Sequence, residues 1–329
     1  MTMNAIASYF DYVKLMSHED NDFVYLLSIA TPATILQGNY QSLQSPDLSD
    51  KLVVQGGTFD IVLNFYDTFD PVNYPTWRSL NRALVFGFIG HTFTGQNAQC
   101  VIEWFADNEN PNTGVPYVSH TYNFAVHEDT YLDKMFGAND FLVIDDSTGT
   151  GFEQLSGETI TAIKLSFTNT TGADMGIGRL WVGNNFQQKN DISQDQVFDG
   201  GWSMGFQSIG SFDRNFDNST GYSKAANVQR QISVGKSLMP FSMAYGKLYS
   251  DSNNPNRNTT TDSYSNMIRT VHKFDDVIII PDYEDNISVK HTAVYGTIIN
   301  NPKITKDSKS NLYSCQIDVL EIVEDQGSY

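Results

Sequence analysis

The sequence has little cysteine and little basic charge. Its 329 residues include two cysteines, Cys100 and Cys315, and 20 Lys and Arg residues against 38 Asp and Glu residues, for a formal net charge of −18. Two cysteines so far apart in the chain favour free, buried thiols over a disulfide, as in a protein made in a reducing cytoplasm. Nucleic-acid binding requires clustered cations, and no long basic run is present, so the composition excludes a nucleic-acid partner.

Long hydrophobic runs are also missing. The strongest run, Val277–Ile280, stops at Pro281 and is far shorter than the ~18 apolar residues of a membrane-spanning helix. The first residues, Met1–Ala7, contain no basic segment followed by a long apolar one. We therefore expect no secretory signal and no membrane span.

The motifs of common catalytic and metal sites are absent as well. The six histidines form neither His-x-His nor His-Glu-x-x-His, and neither Gly-x-Ser-x-Gly nor a phosphate-binding loop occurs. We therefore expect no metal site, no catalytic residue and no enzymatic activity. A polysaccharide-degrading enzyme is kept as an alternative whose only support is the abundance of carboxylates and aromatic side chains.

Two acidic turns are candidates for binding a calcium ion. Residues 145–149 and 107–114 each combine Asp or Asn side chains with a glycine, which is the oxygen-rich chemistry that calcium prefers. Neither segment has the alternating acids of a complete calcium loop, so a surface turn is the favoured interpretation. We expect no cofactor, with a structural calcium as the minor alternative.

The residues that are present favour an all-β protein. Hydrophobic residues make up 40% and aromatic residues 13% of the chain, which argues against disorder. Short apolar or alternating segments separated by turn residues are typical of a β-sandwich. These candidate strands cover residues 59–66, 83–93, 100–105, 120–126, 141–144, 159–167 and 177–183, and then 205–206, 227–234, 242–248, 276–280, 292–299 and 312–323. Near the N-terminus, the spacing of Ile6, Phe10 and Val13 predicts a short amphipathic helix within residues 4–16.

The charge distribution supports two β domains. Residues 1–183 contain 7 basic and 21 acidic residues, a net charge of −14, whereas residues 184–329 contain 13 and 17, a net charge of −4. We predict an N-terminal arm or helix over residues 1–30, a jelly-roll domain over 31–183 and a second β domain over 184–329. The second domain contains a polar loop at 250–266, which is too hydrophilic to pack in a core.

Candidate binding residues are aromatic, basic and amide side chains in or near predicted loops. Glycans stack on exposed Trp and Tyr rings, and protein interfaces favour the same residues. Trp104 and Trp181 lie in predicted strands and are assigned to the core, as is the Cys100 thiol. The candidates for binding a glycan or a protein partner are Trp77, Arg78, Arg82, Asn110, Tyr117 and Trp202.

Two stretches resemble known families. Residues 160–167, the turn after them and residues 178–183 resemble the closing strands of a galactose-binding-like jelly roll. That resemblance implies glycan binding through loops at one end of the domain. Residues 200–206, Arg230, and the segments 277–281, 293–296 and 313–322 resemble the layout of a tail-associated virion protein of tailed bacteriophages.

The virion resemblance sets the expected function. It implies a structural component of the tail, tail tip or neck, made in the bacterial host cytoplasm and located in the virion. Its partners would be copies of itself in a symmetric oligomer, other virion proteins and a host surface glycan. The alternative is a glycan-binding adhesin or receptor-binding module that uses the jelly-roll loops. Because like-charged copies repel, we expect the nearly balanced C-terminal domain to pack in the assembly and the acidic N-terminal domain to face outward.

Overall fold

The chain divides into two units of internal contacts in a computed structural model. One comprises Phe10–Asn184, which we call the sandwich unit, and the other comprises Met1–Tyr9 together with Asn185–Tyr329, which we call the second unit. This division falls one residue from the change in charge at residue 183. The structure describes residues 6–8, 11–15, 26–30, 34–64, 84–106, 111–126, 138–144, 160–184, 186–187, 215–216, 220–221, 231–232, 237–245, 273–280, 289–290, 292–301, 303–306 and 313–322.

Strands dominate both units. In chain order they are β1 (Ile6–Ser8), β2 (Leu26–Ala30), β3 (Ile35–Gln37), β4 (Leu52–Val54), β5 (Thr58–Asn64), β6 (Leu84–His91), β7 (Gln99–Ala106), β8 (Val118–Asn123), β9 (Ala138–Ile144), β10 (Ile160–Thr168), β11 (Met175–Ile177), β12 (Arg179–Asn184), β13 (Phe186–Gln187), β14 (Asn215–Phe216), β15 (Thr220–Gly221), β16 (Gln231–Ile232), β17 (Ser237–Tyr245), β18 (Asp276–Ile280), β19 (Val294–Ile298), β20 (Lys303–Lys306) and β21 (Tyr313–Glu321). Short 3-10 helices lie at Val13–Leu15, Ser42–Gln44 and Phe124–Val126. Among the described residues, no helix has the length and apolar composition needed to cross a membrane.

The sandwich unit packs antiparallel sheets around an aromatic core. A five-stranded sheet has the order β2-β5-β10-β7-β8, and two three-stranded sheets have the orders β12-β6-β9 and β11-β4-β3. Phe88 of β6 joins the layers, because its ring centroid lies 5.9 Å from that of Tyr122 in β8 and 5.8 Å from that of Phe167 in β10. The protein is therefore all-β with a sandwich architecture, as the sequence predicts.

Alternation along β10 explains why this segment forms a strand. Ile163, Leu165 and Phe167 are fully buried in the core, whereas Lys164 and Ser166 between them are only partly buried. Successive side chains of a strand point to opposite faces, and burying each large apolar side chain contributes roughly 1.5–3 kcal/mol. The strand thus has one core face and one polar face.

The second unit is built on a larger antiparallel sheet. Its order is β13-β1-β18-β19-β21-β17-β14, and β20 also pairs with β21. Val277–Ile280 of β18 are buried at every position, as expected for a central strand covered on both faces. At Gly296 in β19, an added Cβ would lie 2.4 Å from the carbonyl oxygen of Leu320, so only glycine allows this close approach of the neighbouring strand.

The predicted N-terminal helix is wrong. Residues 6–8 form β1, which pairs with β13 and β18, and Val13–Leu15 form a single 3-10 turn. Helical spacing is a weak local preference, and pairing of Ile6 with Ile280 overrides it through contacts distant in sequence. Residues 6–8 therefore belong to a sheet of their own chain, where Ser8 is fully buried. The predicted polar loop at 250–266 lies outside the described residues.

Candidate functional site

The outer face of the five-stranded sheet carries a group of polar side chains, next to the buried apolar residues Val62, Phe105 and Ala162 of the same face. In and just before β8, Tyr117, Ser119 and Thr121 are exposed, whereas Val118 and Tyr122 between and beyond them are buried in the core. This alternation puts the exposed side chains on the face opposite the core. We call this surface the polar platform, and it comprises Asp60, Val101, Glu103, Tyr117, Ser119, Thr121, Lys164 and Ser166.

Strand register brings the platform residues together from four strands. Directly opposite residues of an antiparallel pair have Cβ atoms about 4.5–5.5 Å apart, so cross-strand neighbours on one face interact. Glu103 lies opposite both Ser119 and Lys164. In the next row, Val101 lies opposite both Thr121 and Ser166, and Ser166 lies opposite Asp60.

Lys164 sits at the centre of the platform between two carboxylates. Its Nζ atom is 3.3 Å from Oδ2 of Asp60 and 3.9 Å from Oε2 of Glu103. The Lys164 and Glu103 side chains are 19% and 22% exposed, so both are held within the sheet surface rather than extended into solvent. Two carboxylates and one ammonium leave this cluster with one net negative charge.

Tyr117 stands at the end of the platform where the chain enters β8. Its backbone N–H donates a 2.8 Å hydrogen bond to the Trp104 carbonyl, which extends the pairing of β7 and β8, and its side chain is 44% exposed. An exposed tyrosine offers an apolar ring face and a hydroxyl together. Of the six predicted binding residues, Tyr117 is the one in the described part of the chain.

The other five predicted binding residues, Trp77, Arg78, Arg82, Asn110 and Trp202, lie outside the described residues. Three of them, Trp77, Arg78 and Arg82, belong to the chain between Asn64 and Leu84. Asn64 of β5 pairs with Ala162, and Ala106 of β7 pairs with Ile160, so β5 and β7 end at the same edge of the sheet. The chain therefore leaves β5 at the end of the sheet where Tyr117 enters β8.

Reasoning from sequence missed the hydroxyl side chains of the platform. The predicted strand at 120–126 includes Thr121 and begins one residue after Ser119, and the alternation of Val118, Ser119, His120, Thr121 and Tyr122 is the available signal. Ser119 and Thr121 alternate with the core residues and are exposed, which places them on the solvent face. Their pairing with Glu103 and Val101 required the strand register.

A buried polar network lies in the core next to the platform sheet. His91 Nε2 is 2.6 Å from Oδ2 of Asp140, and the Tyr122 hydroxyl donates to Oδ1 of Asp140 at 3.3 Å. The Phe93 backbone N–H donates to His91 Nδ1 at 3.2 Å. Nδ1 is thus an acceptor, so the ring proton sits on Nε2 and faces Asp140. His91 and Asp140 are nearly inaccessible to solvent, which suits a structural role.

A second buried pair joins the start of the sandwich unit to β12. Arg179 Nη2 is 2.6 Å from Oδ2 of Asp11, and both side chains are buried. The backbone N–H of Val13 donates to Oδ1 of Asp11 at 2.9 Å. Burial raises the pKa of Asp11 to about 6, against the opposing charge of Arg179 and the backbone hydrogen bond from Val13. Within the described residues, the Nε and Nη1 atoms of Arg179 have no hydrogen-bond partner.

The predicted core residues are in the core. Trp104, Trp181 and Cys100 are fully or almost fully buried, and burial raises the pKa of the Cys100 thiol well above its ordinary value. In the part of the chain that is described, no group of three His, Cys, Asp or Glu side chains is arranged to hold a metal. The calcium candidate at 145–149 and the first half of the one at 107–114 lie outside that part.

Comparison with known proteins gives only distant likenesses. No family model matches the chain, and no curated protein matches it. A solved glycosylation-associated protein complex from Streptococcus agalactiae aligns at 9% identity and a TM-score of 0.29, over 73% of this chain and 31% of that one. The enzymatically active domain of tailspike protein 4 of bacteriophage CBA120 aligns at 16% identity and a TM-score of 0.29, over 53% of this chain and 21% of that one.

A third likeness is to a family 11 carbohydrate-binding module from Clostridium thermocellum, solved with a mixed-linked tetrasaccharide. It aligns at 7% identity and a TM-score of 0.25, over 56% of this chain and 98% of that module. The chain thus spans under a third of the length of the Streptococcus and tailspike chains. TM-scores this low do not establish a shared fold.

Proposed function

We propose that the sandwich unit binds a glycan on the polar platform, as part of a structural component of a tailed-bacteriophage particle. The observation that carries the binding proposal is the row of exposed Tyr117, Ser119 and Thr121 on one face of β8, beside the ion cluster centred on Lys164. These side chains supply a ring for stacking and several hydrogen-bonding groups on one face of the sheet.

The chemistry of the platform fits a sugar better than a protein partner. A sugar ring presents one apolar C–H face and a rim of hydroxyls, which match an aromatic ring flanked by hydroxyl and carboxylate groups. A protein interface has an apolar centre depleted of charged groups. The centre of the platform is instead occupied by Lys164, Asp60 and Glu103.

We propose that the platform binds glycan without cleaving it. Glycosidases place two carboxyl groups on either side of the scissile bond. On the platform, the Lys164 ammonium lies within 4 Å of both Asp60 and Glu103, so a lysine occupies the space between the two carboxylates where a scissile bond would have to lie. Incubation with host polysaccharide should release no reducing ends. Release that depends on Glu103 would contradict this part of the proposal.

The glycan proposal is tested by replacing Tyr117 with alanine. We expect binding on a glycan array and in calorimetry to weaken about tenfold, which corresponds to the ~1.4 kcal/mol of a good aromatic contact. The control is Val126→Ala, which trims a more exposed apolar side chain just beyond the other end of β8. Binding that is unchanged in Tyr117→Ala, or absent from the unmodified chain, would refute the platform as the site.

The virion role rests on the sequence resemblance over residues 178–323 and on the charge division between the two halves. We propose that copies contact one another through residues 184–329, with the acidic sandwich unit facing outward. Mass spectrometry of purified particles should detect the chain, and light scattering should show an oligomer. Cross-links between copies that fall mainly within residues 31–183 would contradict the assignment of the two halves.

A further inference from the structure

We infer that the polar platform selects uncharged glycans and rejects those carrying carboxylate or sulfate groups, with Glu103 accepting hydrogen bonds from sugar hydroxyls. This inference rests on the proposed glycan binding and specifies uncharged glycans as the ligand class. It follows from two features of the platform. Lys164 is already paired with two carboxylates, and the Glu103 carboxylate can accept hydrogen bonds from a ligand.

The first feature is the pairing of the Lys164 ammonium with two carboxylates. Recognition of an anionic sugar requires a cation that is free to pair with it. Lys164 is the cation of the platform within the described ranges, and it already lies 3.3 Å from Asp60 and 3.9 Å from Glu103. An anionic sugar would therefore meet one net negative charge at the site, in a region of sequence that carries a net charge of −14 over residues 1–183. The negative charges of the sugar and the site repel each other, and this repulsion weakens as salt is added.

The second feature is the carboxylate of Glu103. Its side chain is 22% exposed, and the Lys164 ammonium lies 3.9 Å away, beyond hydrogen-bond distance. Across the part of the chain that the structure describes, no N–H or O–H group donates to this carboxylate. At 22% exposure this carboxylate is accessible to a ligand, and the hydroxyls of a sugar lying across β7 and β8 would donate hydrogen bonds to it.

The position of Glu103 makes this contact compatible with stacking on Tyr117. Glu103 lies opposite Ser119, and Ser119 is two residues from Tyr117 along the same face. Successive same-face residues of a strand are separated by roughly 6.8 Å, twice the rise per residue, a span of the order of one sugar unit. One sugar can thus stack on Tyr117 while the hydroxyls of its neighbour reach Glu103.

The test uses matched pairs of neutral and acidic glycans. An array carries neutral tetrasaccharides of glucose and mannose, each beside its counterpart oxidised to a carboxylate at C6, and affinities are then measured by calorimetry with the full chain. We expect neutral members to bind at least about tenfold more tightly at low ionic strength, and the difference to shrink in high salt. Equal or tighter binding of the acidic members would overturn the inference and leave the proposed function standing. Failure of every glycan to bind would overturn both.

Variants of Glu103 separate its hydrogen bonds from its charge. Glu103→Gln should weaken binding of the neutral tetrasaccharide about tenfold, because a charge-assisted hydrogen bond becomes a neutral one, and it should reduce the discrimination against the acidic counterpart. The control is Asp47→Asn, which removes one negative charge from a fully exposed acid of the same unit and should change neither quantity. Glu103→Asp, which keeps the charge, serves as a second variant. Unchanged neutral binding in both Glu103 variants would refute the role of this residue.

Discussion

The two buried polar pairs of the sandwich unit, His91–Asp140 and Asp11–Arg179, differ in how completely they are hydrogen-bonded. His91 and Asp140 form a closed hydrogen-bond network. The Phe93 backbone N–H donates to the second ring nitrogen of His91, and the Tyr122 hydroxyl donates to the second carboxylate oxygen of Asp140. Arg179 and Asp11 form an equally short contact, yet two nitrogens of the guanidinium have no partner in the part of the chain that the structure describes. A closed network holds its charge at little cost, whereas an incomplete one leaves desolvation uncompensated. The Asp11–Arg179 pair should therefore be the more sensitive to mutation and pH.

The difference follows from the chemistry of the partners. His91 carries a single ring proton in this network, so the one formal charge of the pair is on Asp140. The Asp140 carboxylate accepts hydrogen bonds from two donors, His91 and Tyr122. Arg179 is always protonated, and its five N–H groups exceed what Asp11 can accept. The Trp181 ring, whose centroid lies 5.9 Å from the guanidinium carbon, adds a cation–π contact to Arg179.

The largest predicted effect is loss of the anion next to Arg179. Asp11→Leu should lower the free energy of unfolding by about 3–5 kcal/mol, because it leaves a buried guanidinium without a counter-charge. Urea unfolding measures the change. The double variant Asp11→Leu with Arg179→Met removes both charges and should recover most of the loss. A double variant as unstable as the single one would show that the pair contributes through packing instead of charge.

The next effect is on the dependence of stability on pH. The pKa of Asp11 is about 6 in the folded chain against 3.8 for an unperturbed carboxyl, so the folded state holds the proton more tightly than the unfolded state. The contribution of Asp11 to stability is then fully present below pH ~4 and is lost as the pH rises through 6, a total of about 3 kcal/mol.

The measurement compares unfolding free energies of the native chain and the Asp11→Asn variant from pH 4 to 7. Asparagine cannot ionise, so the native chain should lose stability relative to the variant as the pH rises across this interval. Asp140→Asn, in the closed network, serves as the comparison. Parallel pH profiles for the native chain and Asp11→Asn would contradict the raised pKa of Asp11.

Local patterns in the sequence predicted the strands but not their neighbours. The alternation of Ile163, Lys164 and Leu165 is visible along the chain and correctly indicates a strand with one polar face. Pairing is set by contacts distant in sequence, so the partner of Arg179, which lies 168 positions away at Asp11, left no local signal. The same limit explains the N-terminal error, because Ile6 is in a strand only by virtue of Ile280.

The polar platform shows the same limit within a functional surface. Tyr117 could be selected from sequence because an aromatic beside Pro116 after a polar turn is typical of a binding loop. Glu103 and Lys164 could not, since each is an isolated charge in an otherwise apolar strand segment. Their meeting depends on the antiparallel register of β7 and β10, which three-dimensional packing determines.

The smallest predicted effect is on the closed network. Tyr122→Phe removes one hydrogen bond to Asp140, which at 3.3 Å is long, and keeps the ring against Phe88. Because His91 still donates to Asp140, we expect a loss of only about 1 kcal/mol in unfolding free energy, read from the urea midpoint. Tyr117→Phe removes the same hydroxyl from an exposed ring and should change stability by less than about 0.5 kcal/mol. If Tyr122→Phe lowered the free energy of unfolding as much as Asp11→Leu, the His91–Asp140 network would be as sensitive to mutation as the Asp11–Arg179 pair. That result would contradict the proposed difference between the two pairs.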